Sequence, residues 1–191
     1  AGDVRYTRGK YLGTARQLGM ENYRQLFSPD TELGRWLATR NTMLRIGRNL
    51  FVHAGLSARL LERDLEMDTL NARMSEGLYR TSKERREDPT LEFLYRSAGP
   101  VWYRGMVCTD EKYDPLTPEQ TDALLRRYDA DRLLVGHTIF PDISTFHDGR
   151  VIAVNVQNEL NRRKNRGRAV LIEGSRISVV GNRGVKRVLE E

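Results

Sequence analysis

The stretch TMLRIGRNLFVHAG, residues 42–55, decides the fold class. TMLRIG and NLFVHAG read as two strands around a Gly47-Arg48 turn, since short apolar runs flank a turn signal. The second run ends in His53-Ala54-Gly55. Upstream lie two short helical segments, 21–27 and 31–40, the latter introduced by Ser28-Pro29 with proline suited to a first helical turn. Downstream, 57–87 reads as helical. Met67, Leu70, Met74 and Leu78 recur at steps of 3, 4 and 4, a stripe that reads as core packing.

Pro89 and Gly99-Pro100 interrupt that helical pattern. Thr117-Pro118-Glu119-Gln120 opens another helix, with Thr117 as cap and Gln120 as its reciprocal partner. Leu124, Leu125 and Tyr128 form its apolar side. RLLVGH, 132–137, is a short buried strand. DISTFH (142–147) and RVIAVNV (150–156) flank the hairpin signal Asp148-Gly149. RAVLIEG and RISVVG, within 168–181, form a further hairpin, and the residues after Gly181 read as a polar, frayed tail. Short helices come first and strands dominate the end. That order indicates a mixed α/β domain with hairpins rather than a regular βαβ array.

Composition narrows the function classes. The 191 residues are 39% hydrophobic and 30% charged, which is enough apolar chain for a core. No run approaches the roughly 18–20 apolar residues of a membrane helix. AGDVRYTRGK, 1–10, contains no apolar signal-peptide region. The single cysteine, Cys108, excludes a disulfide framework and a multi-cysteine zinc site, and reads as a small buried hydrophobe. No GxGxxG or GxxxxGK loop is present. The net charge of +6 comes entirely from residues 150–191, with 10 basic and 4 acidic side chains, because residues 1–149 hold 22 of each. The basic segment NRRKNRGR, 161–168, reads as a solvated loop between strands, or more sharply as an electrostatic funnel for an anionic substrate or nucleic acid. No aromatic residue interleaves with it, so a base-stacking nucleic-acid platform is not indicated.

Two of the three histidines stand in matching places. His53 follows Leu50-Phe51-Val52, and His137 follows Leu133-Leu134-Val135-Gly136. Each ends a buried strand beside glycine, at the sheet edge where open α/β folds bind ligands. Glycine allows close approach of backbone or ligand, and neutral imidazole is a favoured metal ligand. Read singly, each is more readily a hydrogen-bonded core histidine, a reading that the matching pair weakens. His147, beside Asp148-Gly149, reads as a surface hairpin residue and not a ligand.

FVHAGLS (51–57) and LLVGHT (133–138) resemble the last two motifs of calcineurin-like metallophosphoesterases. The likeness is greatest to bacterial Shewanella-like enzymes related to phosphoprotein phosphatases. GRWLATRNTMLRIGRNLFVHAGLS, GPVWYRG (99–105) and the run from Leu116 to Thr138 followed by DGRVIAV agree in order and spacing. The resemblance implies the C-terminal portion of an α-β-β-α sandwich with mixed sheets, over residues 1–182, with 183–191 as the polar tail. It implies metal ligation by His53 and His137, both to the same one of two divalent ions (manganese, iron or zinc). It also implies that Arg104 grips the phosphate of a phosphorylated substrate, a role suited to the guanidinium fork. A surface or interhelix salt bridge is the other reading of Arg104. The implied reaction is hydrolysis of a phosphomonoester or phosphoprotein by a metal-bridging hydroxide.

The same family has three earlier motifs, GDxHG, GDxxDRG and GNHE, which supply carboxylates and further ligands. None occurs in this sequence. Two histidines do not complete a two-metal site. The expectation is therefore an N-terminally truncated, inactive piece of a metallophosphatase, with exposed strand edges and an uncovered apolar face. The alternative is a non-catalytic module on the same scaffold that binds phosphate or nucleic acid. Asn155 stands where relatives often carry aspartate after the VIAV-type strand.

Overall fold

β1 (Met43–Ile46) and β2 (Asn49–Val52) pair antiparallel, with Met43 opposite Val52 and Ile46 opposite Asn49. Gly47 makes the reversal at φ +58°, in the left-handed region that glycine enters freely. This computed structural model describes residues 9–184 and 186–190. In it the hairpin forms one end of a five-stranded mixed sheet. β3 (Arg132–Val135) runs parallel to β2, and β5 (Val151–Ala153) runs parallel to β3. β4 (Ser144–Phe146) closes the sheet antiparallel to β5, giving the order β1-β2-β3-β5-β4. β6 (Ala169–Glu173), β7 (Arg176–Val180) and β8 (Lys186–Glu190) form a separate antiparallel sheet.

Strand alternation sends successive side chains to opposite cores. Met43, Leu50, Val52, Leu133 and Val135 face a helical layer that contributes Leu60, Leu70, Leu94 and Leu124. Those residues come from α3 (Ala58–Arg63), α4 (Met67–Gly77), α6 (Pro89–Tyr95) and α7 (Pro118–Arg127). On the opposite face, Phe51, Leu134 and Ile152 pack with Ile177 and Val179 of β7. The result is a helical layer, a mixed sheet and a smaller antiparallel sheet. Among the described residues no helix packs extensively on β6–β8. Among the described residues no helix is long and apolar enough to cross a membrane.

Several elements differ from their sequence reading. The expected helix over 57–87 is three: α3, α4 and α5 (Ser82–Arg86). Asp64 turns left-handed at φ 45°, and Asp64 and Glu66 then hold Arg127 of α7, each at 2.8 Å. Thr81 restarts the chain as α5 through a reciprocal cap with Glu84. Pro89 opens α6 rather than interrupting a helix, because the Asp88 carboxylate accepts from the Thr90 and Leu91 amides. The Thr117 capping box forms as expected. The start of the basic segment is helical, in α8 (Asn158–Arg163). Lys186–Glu190, read as part of a frayed tail, pairs with β7 instead. Main-chain pairing there is independent of side-chain polarity, and Leu189 adds an apolar contact to the second core. The N-terminal α1 (Gly9–Gln17), a 3-10 turn at Tyr23–Phe27 and α2 (Glu32–Ala38) form a helical cluster. Ser75 of α4 ties α2 in by donating to the Ala38 carbonyl.

The first strand is anchored by one side chain. Asn71 Oδ1 in α4 accepts from the Thr42 and Met43 amides, both at 2.9 Å, and its Nδ2 donates to the Met43 carbonyl at 2.8 Å. Asn71→Ala is expected to lower the stability of the chain by about 1–3 kcal/mol, since half-buried backbone groups lose their partners. Urea titration with a common slope measures this, and an unchanged midpoint would contradict it.

Candidate functional site

The parallel pairing of β2 and β3 sets the centre. Val52 lies opposite Val135, and the Gly136 amide donates to the His53 carbonyl at 2.8 Å. The two strands therefore release His53 and His137 at neighbouring C-terminal ends. His137 adopts φ +60°, a left-handed conformation uncommon for residues other than glycine. Its ring thereby meets that of His53, with Nε2 of His53 3.1 Å from Nδ1 of His137 and centroids 5.0 Å apart. Trp102 stands edge-on to His137 at 5.4 Å.

Glycine serves the chain's own packing here. A Cβ on Gly55 would lie 3.0 Å from the Tyr103 carbonyl oxygen, and one on Gly136 3.2 Å from that of His53. The close approach is thus by backbone. The Ala54 amide donates to the Pro100 carbonyl at 3.0 Å, which joins the His53 turn to the Gly99–Arg104 segment. Arg104 consequently reaches the histidines' neighbourhood. Its Nη1 donates to Thr138 Oγ1 at 2.9 Å, and no carboxylate pairs with it among the described residues. The salt-bridge reading of Arg104 is replaced by this hydroxyl contact.

The electrostatics favour neutral imidazoles. Burial, then the nearby Arg104 charge, lowers the His53 pKa. Burial lowers that of His137 first, followed by Arg104 and His53. At most one proton lies between the facing nitrogens. Nε2 of His137 is buried without a partner. His53 is exposed and His137 half-buried, so neither is the fully satisfied core histidine of the other reading.

The nitrogen spacing matches an ordinary hydrogen bond and also two nitrogens on one metal ion. Two nitrogens bound to one zinc ion at about 2.0–2.1 Å in a tetrahedral arrangement would lie about 3.3 Å apart. The observed 3.1 Å is close to this. A ligating imidazole ordinarily donates from its far nitrogen to an acceptor, and His137 Nε2 has none. No group of three or more His, Cys, Asp or Glu is placed to hold a metal among the described residues. Two imidazoles and an arginine meet at this edge of the sheet.

An open groove of about 770 Å³ runs beside His53 and Gly136. Val52, Met74 and Val135 line it from the helical side, and Leu44, Phe51 and Leu134 from the other face. Leu44 and Ile46 of β1 are exposed, as is Val154. Leu44 and Val154 also line the groove, while further exposed apolar side chains, among them Leu18, Trp36 and Ile139, lie elsewhere.

His147 is half-buried rather than a surface residue. Its Nε2 lies 3.1 Å from the Met106 carbonyl and its Nδ1 3.3 Å from Thr121 Oγ1, so it braces the β4–β5 turn against α7. Asn155 is half-buried, and its carbonyl accepts from the Phe140 amide at 2.9 Å. Cys108 packs at the edge of the helical core. Thr138 and Trp102 join the centre without having been singled out in the sequence. Their signal was adjacency to His137 and Arg104, which acquires meaning only once the strands pair.

The likeness of this chain is to solved phosphatase structures. No protein-family model matches the sequence, and no curated protein matches it. Among solved structures, a cold-active protein tyrosine phosphatase matches 100% of the chain at 28% identity, with a TM-score of 0.86. The enzyme from a psychrophilic Shewanella sp. matches 100% at 27% identity and 0.85, and a point mutant of a cold-active protein tyrosine phosphatase matches 99% at 28% and 0.85. The chain spans about half the length of these structures, 54–55%.

Proposed function

We propose that the chain forms one wall of a metal-dependent phosphoesterase site of the calcineurin-like type, and that polypeptide outside these 191 residues supplies the remaining ligands. The facing of His53 Nε2 and His137 Nδ1 at 3.1 Å carries the reading. Support also comes from the arginine nearby and from the likeness to tyrosine phosphatases about twice as long. His53 and His137 would hold one of two divalent ions, of the manganese, iron or zinc kind. Such ions supply Lewis acidity and lower the pKa of water.

The residues of this chain have separate tasks. The two imidazoles present ring nitrogens to the centre, and partial burial together with the Arg104 charge lowers both pKa values, which favours the metal-binding neutral form. Arg104, steadied by Thr138, holds phosphoryl oxygens through its fork and offsets charge that develops on them. Trp102 excludes water from one side of His137. The substrate is a phosphomonoester, and the likeness to protein tyrosine phosphatases favours phosphotyrosine. The non-catalytic module has less support, because Arg166 is engaged with Asn161 and Arg168 with Asp142.

The three histidines provide an internal test. Paramagnetic Mn²⁺ added to the chain should broaden the imidazole resonances of His53 and His137 at concentrations that leave His147 sharp. Equal broadening of all three, or of none, would count against the metal reading. The apolar rim has its own consequence. Exposed Leu44, Ile46 and Val154 should make the chain bind the dye ANS and self-associate as its concentration rises. A dye-silent, strictly monomeric chain would contradict an uncovered groove.

A further inference from the structure

A second cleft, about 800 Å³, shares Arg104 and Trp102 with the histidine centre. Arg59, Arg96 and Lys112 add positive charge to it, and Tyr113 adds an aromatic wall. Two of these cations are already answered. Arg96 lies 3.6 Å from Glu92, and Lys112 lies 2.6 Å from Asp110. Asp114 also lines the cleft, with its carbonyl accepting the Tyr103 hydroxyl. Arg59 and Arg104 have no carboxylate partner among the described residues. Arg104 belongs to the phosphate centre, which leaves Arg59 as a cation without an assigned task.

The start of the helix that carries it is anchored. Arg59 is the second residue of α3, which begins a few residues beyond His53. Ser57, fully buried just before α3, donates to the Ala98 carbonyl at 2.8 Å. The start of α3 is therefore tied to the segment that carries Trp102 and Arg104. Trp102 is 55% exposed, leaving much of its ring open to a ligand.

We propose that this cleft receives the residues flanking the phosphorylated side chain of a peptide substrate and selects an acidic one, whose carboxylate pairs with Arg59. The proposal rests on the reading of Arg104 and the histidines as the phosphate centre, and gives that centre its substrate class: acidic phosphopeptides. A fork of guanidinium donors suits a carboxylate, and Trp102 and Tyr113 accommodate the peptide's apolar stems. Single-stranded nucleic acid would also use aromatics and cations, but it needs a track of them. One unanswered arginine beyond the phosphate centre does not make a track.

Fluorescence polarisation with the full chain tests this. The probes are two labelled peptides with a central phosphotyrosine, one flanked by glutamates and the other by alanines. The acidic peptide should bind about fivefold more tightly at low salt, with the margin shrinking as salt rises. Arg59→Glu should abolish or reverse the preference. Arg162→Glu, an equal charge change on the exposed end of α8, should leave it intact. Equal affinities in the wild-type chain, or a preference that survives Arg59→Glu, would overturn the proposal. So would displacement of the acidic peptide by an oligothymidylate more readily than by its unlabelled self. Because the preference is read by binding, it is separable from the Mn²⁺ result. Acid selection without selective broadening of His53 and His137 would leave the peptide cleft and remove the metal centre, and selective broadening without acid selection would do the reverse.

Discussion

His53→Ala is expected to reduce hydrolysis of p-nitrophenyl phosphate on the order of 10³-fold in the chain extended by the polypeptide that completes its site. The magnitude follows from the several kcal/mol of charge stabilisation that a metal ion contributes, at about 1.4 kcal/mol per decade of rate. His53 is one of only two imidazoles that this chain brings to the centre, and no described carboxylate stands by to replace it. His137→Asn should have a similar effect while retaining a side chain that tolerates the left-handed backbone at φ +60°. That variant separates ligand loss from backbone strain. Its melting temperature should match the parent's while turnover and bound metal fall together. Steady-state kinetics alongside metal analysis decide the matter, and a His137→Asn enzyme that keeps both would refute the assignment.

Arg104→Ala is expected to lower kcat/KM by about 10²–10³-fold, the usual cost of removing one preorganised donor from a developing oxyanion. Metal content should not change, since the guanidinium contacts Thr138 rather than a ligand. Arg104→Lys should recover only part of the loss, because an ammonium keeps the charge but not the planar fork. Loss confined to KM would assign Arg104 to ground-state binding alone. Full activity in Arg104→Ala would remove it from the centre. Loss of metal along with rate would instead make it a structural support for the histidines.

Much of the architecture is legible in local sequence. The 42–55 hairpin follows from two apolar runs about Gly47, and the start of α7 from the Thr117–Gln120 box. The misreadings arise where one residue type has two uses. Proline ends some helices and begins others, and only the Asp88 carboxylate bonded to the Thr90 and Leu91 amides shows that Pro89 does the latter. Lys186–Glu190 has too little alternation to read as a strand, and its place is decided by the open edge of β7. His53 and His137 are visible because each follows an apolar run and neighbours glycine. Their facing depends on the parallel register of β2 and β3, which pairs segments far apart in the chain. Arg104 is legible only through likeness to a known motif, and its bond to Thr138 and the cation at Arg59 emerge only through space.

The central claim is that this chain carries two ligands and a phosphate-gripping arginine of a site completed by other polypeptide. Its most direct test is p-nitrophenyl phosphate turnover with Mn²⁺ or Zn²⁺, measured on the 191-residue chain alone and on the chain extended upstream. The account predicts no turnover above the metal-in-buffer background for the short chain, metal-dependent turnover for the extended one, and loss of the latter in His53→Ala. Full turnover by the short chain, undiminished by His53→Ala, would contradict it.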